Sequence, residues 1–234
     1  MIHRFYTANI KDKSGPLELS EHIWVNDPSF VNQVTRVLRM RAGEEIALFD
    51  GRGTERLYRI HEIEPKAFQL YLVTDLEPKL PTRKVILAFS LLKKDKNEWV
   101  LQKATELGVS HLLPLITDRT EKTGFDIDRA QKIIIEASEQ CGRHDIPLLN
   151  EPQDLKSVIG EYHEHIPVCV ADMAGAVYED DGMEEVLVLV GPEGGWSENE
   201  RAYFAEKELL HISVGDFTLR AETACIAAVQ TLIS

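Results

Sequence analysis

From residue 84 onward, short apolar runs alternate with stretches of helical periodicity, and few folds accommodate that order. The apolar runs are Val85–Leu92, Val109–Ile116, Pro167–Ala171, Val186–Val190 and His211–Val214. Between them lie helix signals. Asp95-x-x-Glu98 is a capping-box variant, and Gly108 supplies a C-terminal stop. Asp128 is expected to cap a second helix with the apolar stripe Ala130, Ile133, Ile134, Ala137 and Cys141, closed by Gly142. Ser197-x-x-Glu200 is a full capping box, and Ala221–Ile233 reads as a last helix. Strands joined by helices run parallel, because the crossover must return the chain to the same edge. The sheet they build is covered on both faces. The fold class expected is α/β.

The first 75 residues read differently. Asp27 as N-cap and Pro28 at the first helical position announce a short helix, with Phe30, Val34, Val37 and Leu38 at helical spacing. Strand-like runs follow at Glu45–Phe49, Arg56–Ile63 and Ala67–Thr74, and Asp50-Gly51 is a type I′ hairpin signal. Two prolines and no periodicity between Asp75 and Pro81 mark a boundary. Two domains are therefore expected, at 1–75 and 80–234.

Net charge excludes one class of function. The 234 residues carry 26 basic and 39 acidic side chains, a net of −13, which argues against non-specific coating of nucleic acid. Residues 151–185 hold ten of those acids and one lysine, so a neutral or basic face remains available elsewhere. No run approaches the ~20 apolar residues of a membrane span. The N-terminus lacks the apolar core of a signal peptide. Cys141, Cys169 and Cys225 are too far apart for a CxxC metal pattern, and a reduced cytosol is the simpler expectation. His163-Glu164-His165 has no third ligand nearby and reads as a surface loop, so no metal is expected.

Two segments can carry chemistry. Val190-Gly191-Pro192-Glu193-Gly194-Gly195-Trp196-Ser197 sits between a strand and a capped helix, where open α/β sheets bind ligands. It matches neither the dinucleotide fingerprint nor a P-loop. Its glycines let backbone approach a ligand, although a tight turn without ligand explains the spacing equally well. In the second, Gly215 ends a strand, and Arg220, Glu222 and Thr223 gather where the last helix opens. Charged residues there are also ordinary dipole partners. Gln102, Lys103 and Glu106, and Glu136, Glu139, Gln140 and Arg143, form polar helix faces that solvation alone would explain.

At these residues the chain resembles the ribosomal RNA small subunit methyltransferase E family, in the SPOUT class. The matching pieces span nearly the whole length. They are His3-Arg4-Phe5, Val37-Leu38-Arg39, Phe49-Asp50-Gly51, Gln102 through Gly108, Glu139-Gln140 with Arg143, Gly191 through Gly195, and Leu219-Arg220-Ala221-Glu222-Thr223-Ala224. Gly-Pro-Glu-Gly-Gly followed by Leu-Arg-x-Glu-Thr-Ala is the specific pair. Cys141-Gly142 departs from the more polar pair common before the arginine, without touching the ligand loop.

The resemblance implies an N-terminal PUA-like β-barrel that binds RNA and a C-terminal SPOUT domain tied in a deep trefoil knot. It implies a cytoplasmic homodimer acting in rRNA processing. The implied reaction is S-adenosyl-L-methionine-dependent methylation at N3 of one uridine in the decoding region of 16S rRNA, in the small ribosomal subunit. The knot loops around Ala171–Ala174, Val190–Gly195 and Gly215–Arg220 would hold the cofactor, with Val214, Leu219 and Thr223 beside them. Arg220 is the candidate for stabilising a uracil anion, Arg143 for supporting it or gripping phosphate, and Glu222 for base or orienting group. Arg4, Arg36, Arg39, Arg52 and Arg56 would grip RNA backbone. Two other readings stay open: a non-catalytic RNA-binding assembly module, and a knotted ribose 2′-O-methyltransferase.

Overall fold

A computed structural model describes residues 2–12, 15–93, 95–121, 124–179 and 182–233. It divides into two compact units, Met1–Leu80 with Ser138–Ile146, and Pro81–Ala137 with Pro147–Ser234. No shift in composition marks the short segment that joins the first unit.

The first unit contains β1 (His3–Tyr6), β2 (Lys11–Asp12), β3 (Gly15–Pro16), β4 (His22–Val25), α1 (Pro28–Asn32), β5 (Glu45–Phe49), β6 (Glu55–Glu64) and β7 (Ala67–Leu76). Its main sheet runs β1-β5-β6-β7-β4, so β1 and β4 stand at opposite ends of the order. β1 pairs with β5 in parallel and the other pairs are antiparallel. Alternation along these strands turns Ile46, Leu48, Tyr58, Ile60, Phe68 and Leu70 into one core, where Phe30 meets Phe5 edge-on at 4.8 Å.

Asp27 caps α1 as the sequence suggests: its Oδ1 accepts from the main-chain N–H groups of Ser29 at 2.8 Å and Phe30 at 3.0 Å. The helical spacing then fails at Val37. Gln33–Val37 is a π-turn, closed by Leu38 N–H donating to the Gln33 carbonyl at 2.9 Å. The wider turn shifts the phase, leaving Val37 66% exposed while Leu38 packs on the core. The Asp50-Gly51 signal also resolves differently. β5 and β6 are joined by five residues, not two, because Asp50 Oδ1 accepts from Arg52 N–H at 2.8 Å and Thr54 N–H at 3.0 Å. That is an Asx-type loop rather than a type I′ turn.

The second unit contains β8 (Lys84–Ser90), α2 (Lys96–Glu106), β9 (His111–Ile116), most of α3 (Ile127–Cys141), β10 (Leu148–Leu149), β11 (Gln153–Asp154), α4 (Leu155–Tyr162), β12 (Val168–Val177), β13 (Glu185–Val190), α5 (Glu198–Glu206), β14 (Leu210–Ser213) and α6 (Ala221–Ile233). The sheet order is β10-β9-β8-β13-β12-β14, β11 also pairs with β9, and every pairing is parallel. Val186 through Val190 are buried along their whole run, as a central strand covered on both faces requires.

Three local expectations are corrected. Asp95 makes no side-chain cap bond on α2, because its backbone (φ −85°, ψ 4°) lacks the extended geometry of an N-cap, and Glu98 turns to Arg129 at 2.6 Å. Asp126, not Asp128, caps α3: its Oδ1 accepts from Arg129 N–H at 3.0 Å. Cys141 is exposed, and Ile135 and Ser138 are buried on α3 instead. The Ser197–Glu200 capping box on α5 forms in full.

β12 carries the feature that shapes the site. Ala171 and Ala176 both stand opposite Ile212 of β14, so residues 172–175 loop out of the pairing. Gly175 permits this, because a Cβ there would fall on the Ile212 backbone. Among the described residues no helix is long and apolar enough to cross a membrane.

Candidate functional site

The carboxyl ends of β12, β13 and β14 open onto a cleft of about 530 Å³. Three loops form it: the looped-out Ala171–Met173 of β12, Gly191–Trp196 after β13, and Val214–Arg220 before α6. Lys96, Arg201, Ala221 and Ala224 complete the wall. Parallel strands all point their carboxyl ends the same way, so loops distant in sequence converge there.

The loop after β13 turns tightly, with Gly195 N–H donating to the Pro192 carbonyl at 2.9 Å. Gly195 has φ +66°, and a Cβ built on it meets no atom of the described residues within 4 Å. A side chain there would project into free space at the cleft. At Gly191 a Cβ would lie 3.0 Å from the Trp196 ring. The loop is held from behind: Arg119 Nη1 donates to the Gly194 carbonyl at 2.7 Å. Gly194 is accordingly outside the cleft lining, while Val190, Gly191, Pro192, Glu193 and Gly195 belong to it.

Before α6, Val214, Gly215, Leu219 and Arg220 line the cleft. The Arg220 carbonyl accepts from Ala224 N–H at 2.8 Å, which seats the arginine at the helix opening. Glu222 lies in the first turn, its side chain 14% exposed. Thr223 is exposed and does not line the cleft.

Charge is concentrated at the cleft. Lys96 Nζ lies 3.0 Å from Glu193 Oε1 and 3.2 Å from Glu222 Oε2. The hydrogen bond to Glu193 raises the ammonium's pKa above its ordinary value. Burial alone would push the Glu193 carboxyl up, but main-chain N–H groups and Lys96 together hold it below the usual value. Asp172 behaves likewise: burial opposes its ionisation, yet Ala174 N–H and Arg201, 2.6 Å away, hold its pKa down. Burial pushes the Cys225 thiol far up, so it stays a neutral core group.

The remaining candidates lie in the first unit. Arg143 follows the end of α3 and is 6% exposed, with Nε and Nη2 donating to the two Asp145 oxygens at 2.9 and 2.6 Å. It is a buried bidentate partner, not part of a solvated helix face, and it does not line the cleft. Arg4 Nε stands 3.1 Å from buried Glu55. Arg56 donates to Asp75 at 2.7 Å and to the Leu19 carbonyl at 2.9 Å. Arg36, Arg39 and Arg52 are exposed. His163–His165 lies in a turn after α4.

Sequence reasoning missed Lys96, Trp196 and Arg201 as cleft residues, while Phe217 falls within the expected Gly215–Arg220 loop. Trp196 directly follows the glycine loop, a signal that was available. Lys96 and Arg201 carry no such local signal. The cleft suits a ligand held by backbone groups with a cationic part near carboxylates. Glycine space, the Glu193 carboxylate and an apolar rim of Met173, Phe217 and Leu219 all fit S-adenosyl-L-methionine.

Comparison with known proteins agrees with that geometry. Residues 78–233 match the model of an RNA methyltransferase domain, and residues 34–72 that of an RNA methyltransferase PUA domain. The chain is 30% identical over 207 residues to the ribosomal RNA small subunit methyltransferase E of Aquifex aeolicus, covering 85% of this chain and 89% of that protein. A Legionella pneumophila protein solved in complex with the bound cofactor SAM superposes with a TM-score of 0.81 at 30% identity, over 98% of this chain and 96% of that one. A ribosomal RNA small subunit methyltransferase E from Neisseria gonorrhoeae, bound to S-adenosyl methionine, gives 0.84 at 26% identity, over 98% and 95%.

Proposed function

The chain belongs to the ribosomal RNA small subunit methyltransferase E family, and from that premise we propose that it methylates 16S rRNA of the small ribosomal subunit at N3 of one uridine in the decoding region. It is an S-adenosyl-L-methionine-dependent rRNA methyltransferase. The observation that carries the reading is the convergence of the Gly191–Gly195 and Gly215–Arg220 loops on one cleft at the carboxyl edge of the sheet.

When bound, S-adenosyl-L-methionine supplies a methyl group on a cationic sulfur, open to in-line displacement. The chain's first task is alignment. Val190–Glu193 and Gly195 offer backbone from one side, and Val214, Gly215 and Leu219 from the other. Its second task is the acceptor proton, because neutral uracil N3 has no free lone pair. Arg220 at the cleft presents a cation to stabilise charge on the uracil oxygens. Glu222, in the first turn of α6, either receives the N3 proton or orients Arg220. No metal is needed for either task.

The same premise supports finer readings. The second unit, with its looped-out β12 and converging loops, is read as the knotted SPOUT domain. The first is read as a PUA-like barrel that grips RNA backbone through exposed Arg36, Arg39 and Arg52. A cytoplasmic homodimer fits the partly exposed Ala224 and Ala227 of α6, although Ala221 and Ala228 are buried within the chain. Mass mapping of 16S rRNA nucleosides from cells lacking this protein tests the reaction. One N3-methyluridine should vanish and return on complementation; an unchanged map overturns the proposal.

A further inference from the structure

Lys96 opens α2, and the turn that carries it is tied down. Buried Asn97 accepts from Leu92 N–H at 2.8 Å and donates to the Leu92 carbonyl at 3.2 Å. From that anchored position the Lys96 ammonium reaches two carboxylates on different loops, Glu193 at 3.0 Å and Glu222 at 3.2 Å. Glu193 belongs to the cofactor loop. Glu222 stands two residues after Arg220. One cation therefore bridges the loop that holds the methyl donor and the loop that presents the acceptor's electrostatic partner.

We propose that Lys96 is a positioning residue for methyl transfer, fixing the Gly191–Gly195 loop and the Arg220–Glu222 turn in one mutual arrangement. The proposal rests on the methyltransferase reading above. An exposed ion pair contributes little, since solvent screens it and the long side chains lose freedom. Lys96 differs on both counts. Its side chain is 27% exposed and its backbone is pinned by Asn97. Without the ammonium, two carboxylates that share one nitrogen would face each other uncompensated, and like charges at that range repel. Among the described residues, Arg220 lines the same cleft as Lys96 and Glu193, and Lys93 lies beside Glu193 with its own ammonium paired to Glu121 at 2.6 Å. Lys93 N–H adds a weak donation to Glu193 at 3.3 Å, too little to replace the ammonium.

The test compares wild type, Lys96→Met and Lys96→Arg by calorimetry with S-adenosyl-L-methionine and with S-adenosylhomocysteine, and by methylation of purified small subunits. Lys96→Met should lose affinity for both compounds alike, and turnover at saturating cofactor should fall about 10²-fold, the scale of a 1 Å misplacement. Lys96→Arg should recover most of both. Wild-type cofactor affinity should fall as pH drops through the lowered Glu193 pKa, because protonation breaks the bridge. In Lys96→Met it should rise instead, and at higher pH than the wild-type change, because loss of the ammonium lifts the Glu193 pKa and protonation then relieves the repulsion. Should Lys96→Met unfold, the charge swap Lys96→Glu with Glu193→Lys takes its place and should restore turnover above that of Lys96→Glu alone. Unchanged affinity and turnover in Lys96→Met overturn the proposal. So does tighter S-adenosyl-L-methionine binding with S-adenosylhomocysteine unaffected, which would make Lys96 a plain charge. Wild type that fails to methylate small subunits would instead sink the functional reading.

Discussion

The Nε2 atom of His144 lies 2.5 Å from Oε2 of Glu55, and both side chains are sealed from solvent. Arg4 approaches the other carboxylate oxygen at 3.1 Å. Glu55 opens β6, Arg4 lies on β1, and His144 belongs to the short segment beyond α3, so one buried carboxylate ties three stretches of the first unit together. Glu55→Ala leaves buried His144 and partly exposed Arg4 without their partner. Breaking a buried pair in that way costs about 3–5 kcal/mol. Denaturant titration should show that loss as an earlier midpoint, and a midpoint matching wild type would mean the cluster is energetically idle.

The glycine loop should reject side chains for two different reasons. Gly195→Val puts its branch into open cleft space at a residue with φ +66°, while Gly191→Val presses on the Trp196 ring. Both variants should lose cofactor binding by calorimetry. Gly195→Val should also strain the loop, because a β-branched residue disfavours φ +66° even though no atom of the described residues lies near the added carbon. Gly195→Ala, with less added bulk, should therefore bind better than Gly195→Val.

These contrasts locate what the sequence discloses. The parallel sheet was legible because strand and helix periods alternate, and Ala221–Ile233 and Glu45–Phe49 match their apolar patterns to the residue. Val37 was not, because a π-turn changes the phase without any sequence mark. The glycine loop and Arg220 were legible as local motifs. Lys96 was not: its role depends on Glu193 and Glu222, which only the folded sheet brings to it. Arg143 was misjudged for a related reason. Spacing placed it on a helix face, but the helix ends at Cys141 and Gly142 turns it inward against Asp145.

RNA contact should depend on the exposed arginines and not on the ones held in hydrogen-bonded ion pairs. Charge reversal at Arg52 or Arg36, both exposed, should weaken small-subunit binding and flatten its salt dependence, leaving cofactor affinity intact. Arg56 is committed to Asp75 and the Leu19 carbonyl, so its reversal should lower stability first. Filter binding across a salt series separates the two. Equal slopes for wild type, Arg36→Glu and Arg52→Glu would move the RNA surface elsewhere.

The small residues of α6 and the exposed Phe217, 80% open to solvent, fit a second copy of the chain at this end of the unit. Light scattering at micromolar concentration should give twice the chain mass. The mass of one chain would contradict the dimer.

The product should be a base methyl at uracil N3, and the choice of atom has a readout. N3 carries the proton donated in a Watson–Crick pair, so a methyl there removes the donor and adds bulk at the pairing edge. A ribose 2′-O-methyl leaves that edge intact. Reverse transcriptase copying treated 16S rRNA should therefore halt beside a single uridine at ordinary nucleotide concentration. Arg220→Ala should lose the stop. The arginine lines the cleft where the uracil anion would form, and removing one such electrostatic partner costs about 10²–10³ in rate. Cofactor affinity should change little, because the backbone of Gly191–Gly195 and Val214–Gly215 remains. If affinity collapses with the stop, Arg220 holds the donor rather than the acceptor. A stop seen only at low nucleotide concentration would point to the ribose 2′-oxygen, since a methyl there slows copying without blocking the pair.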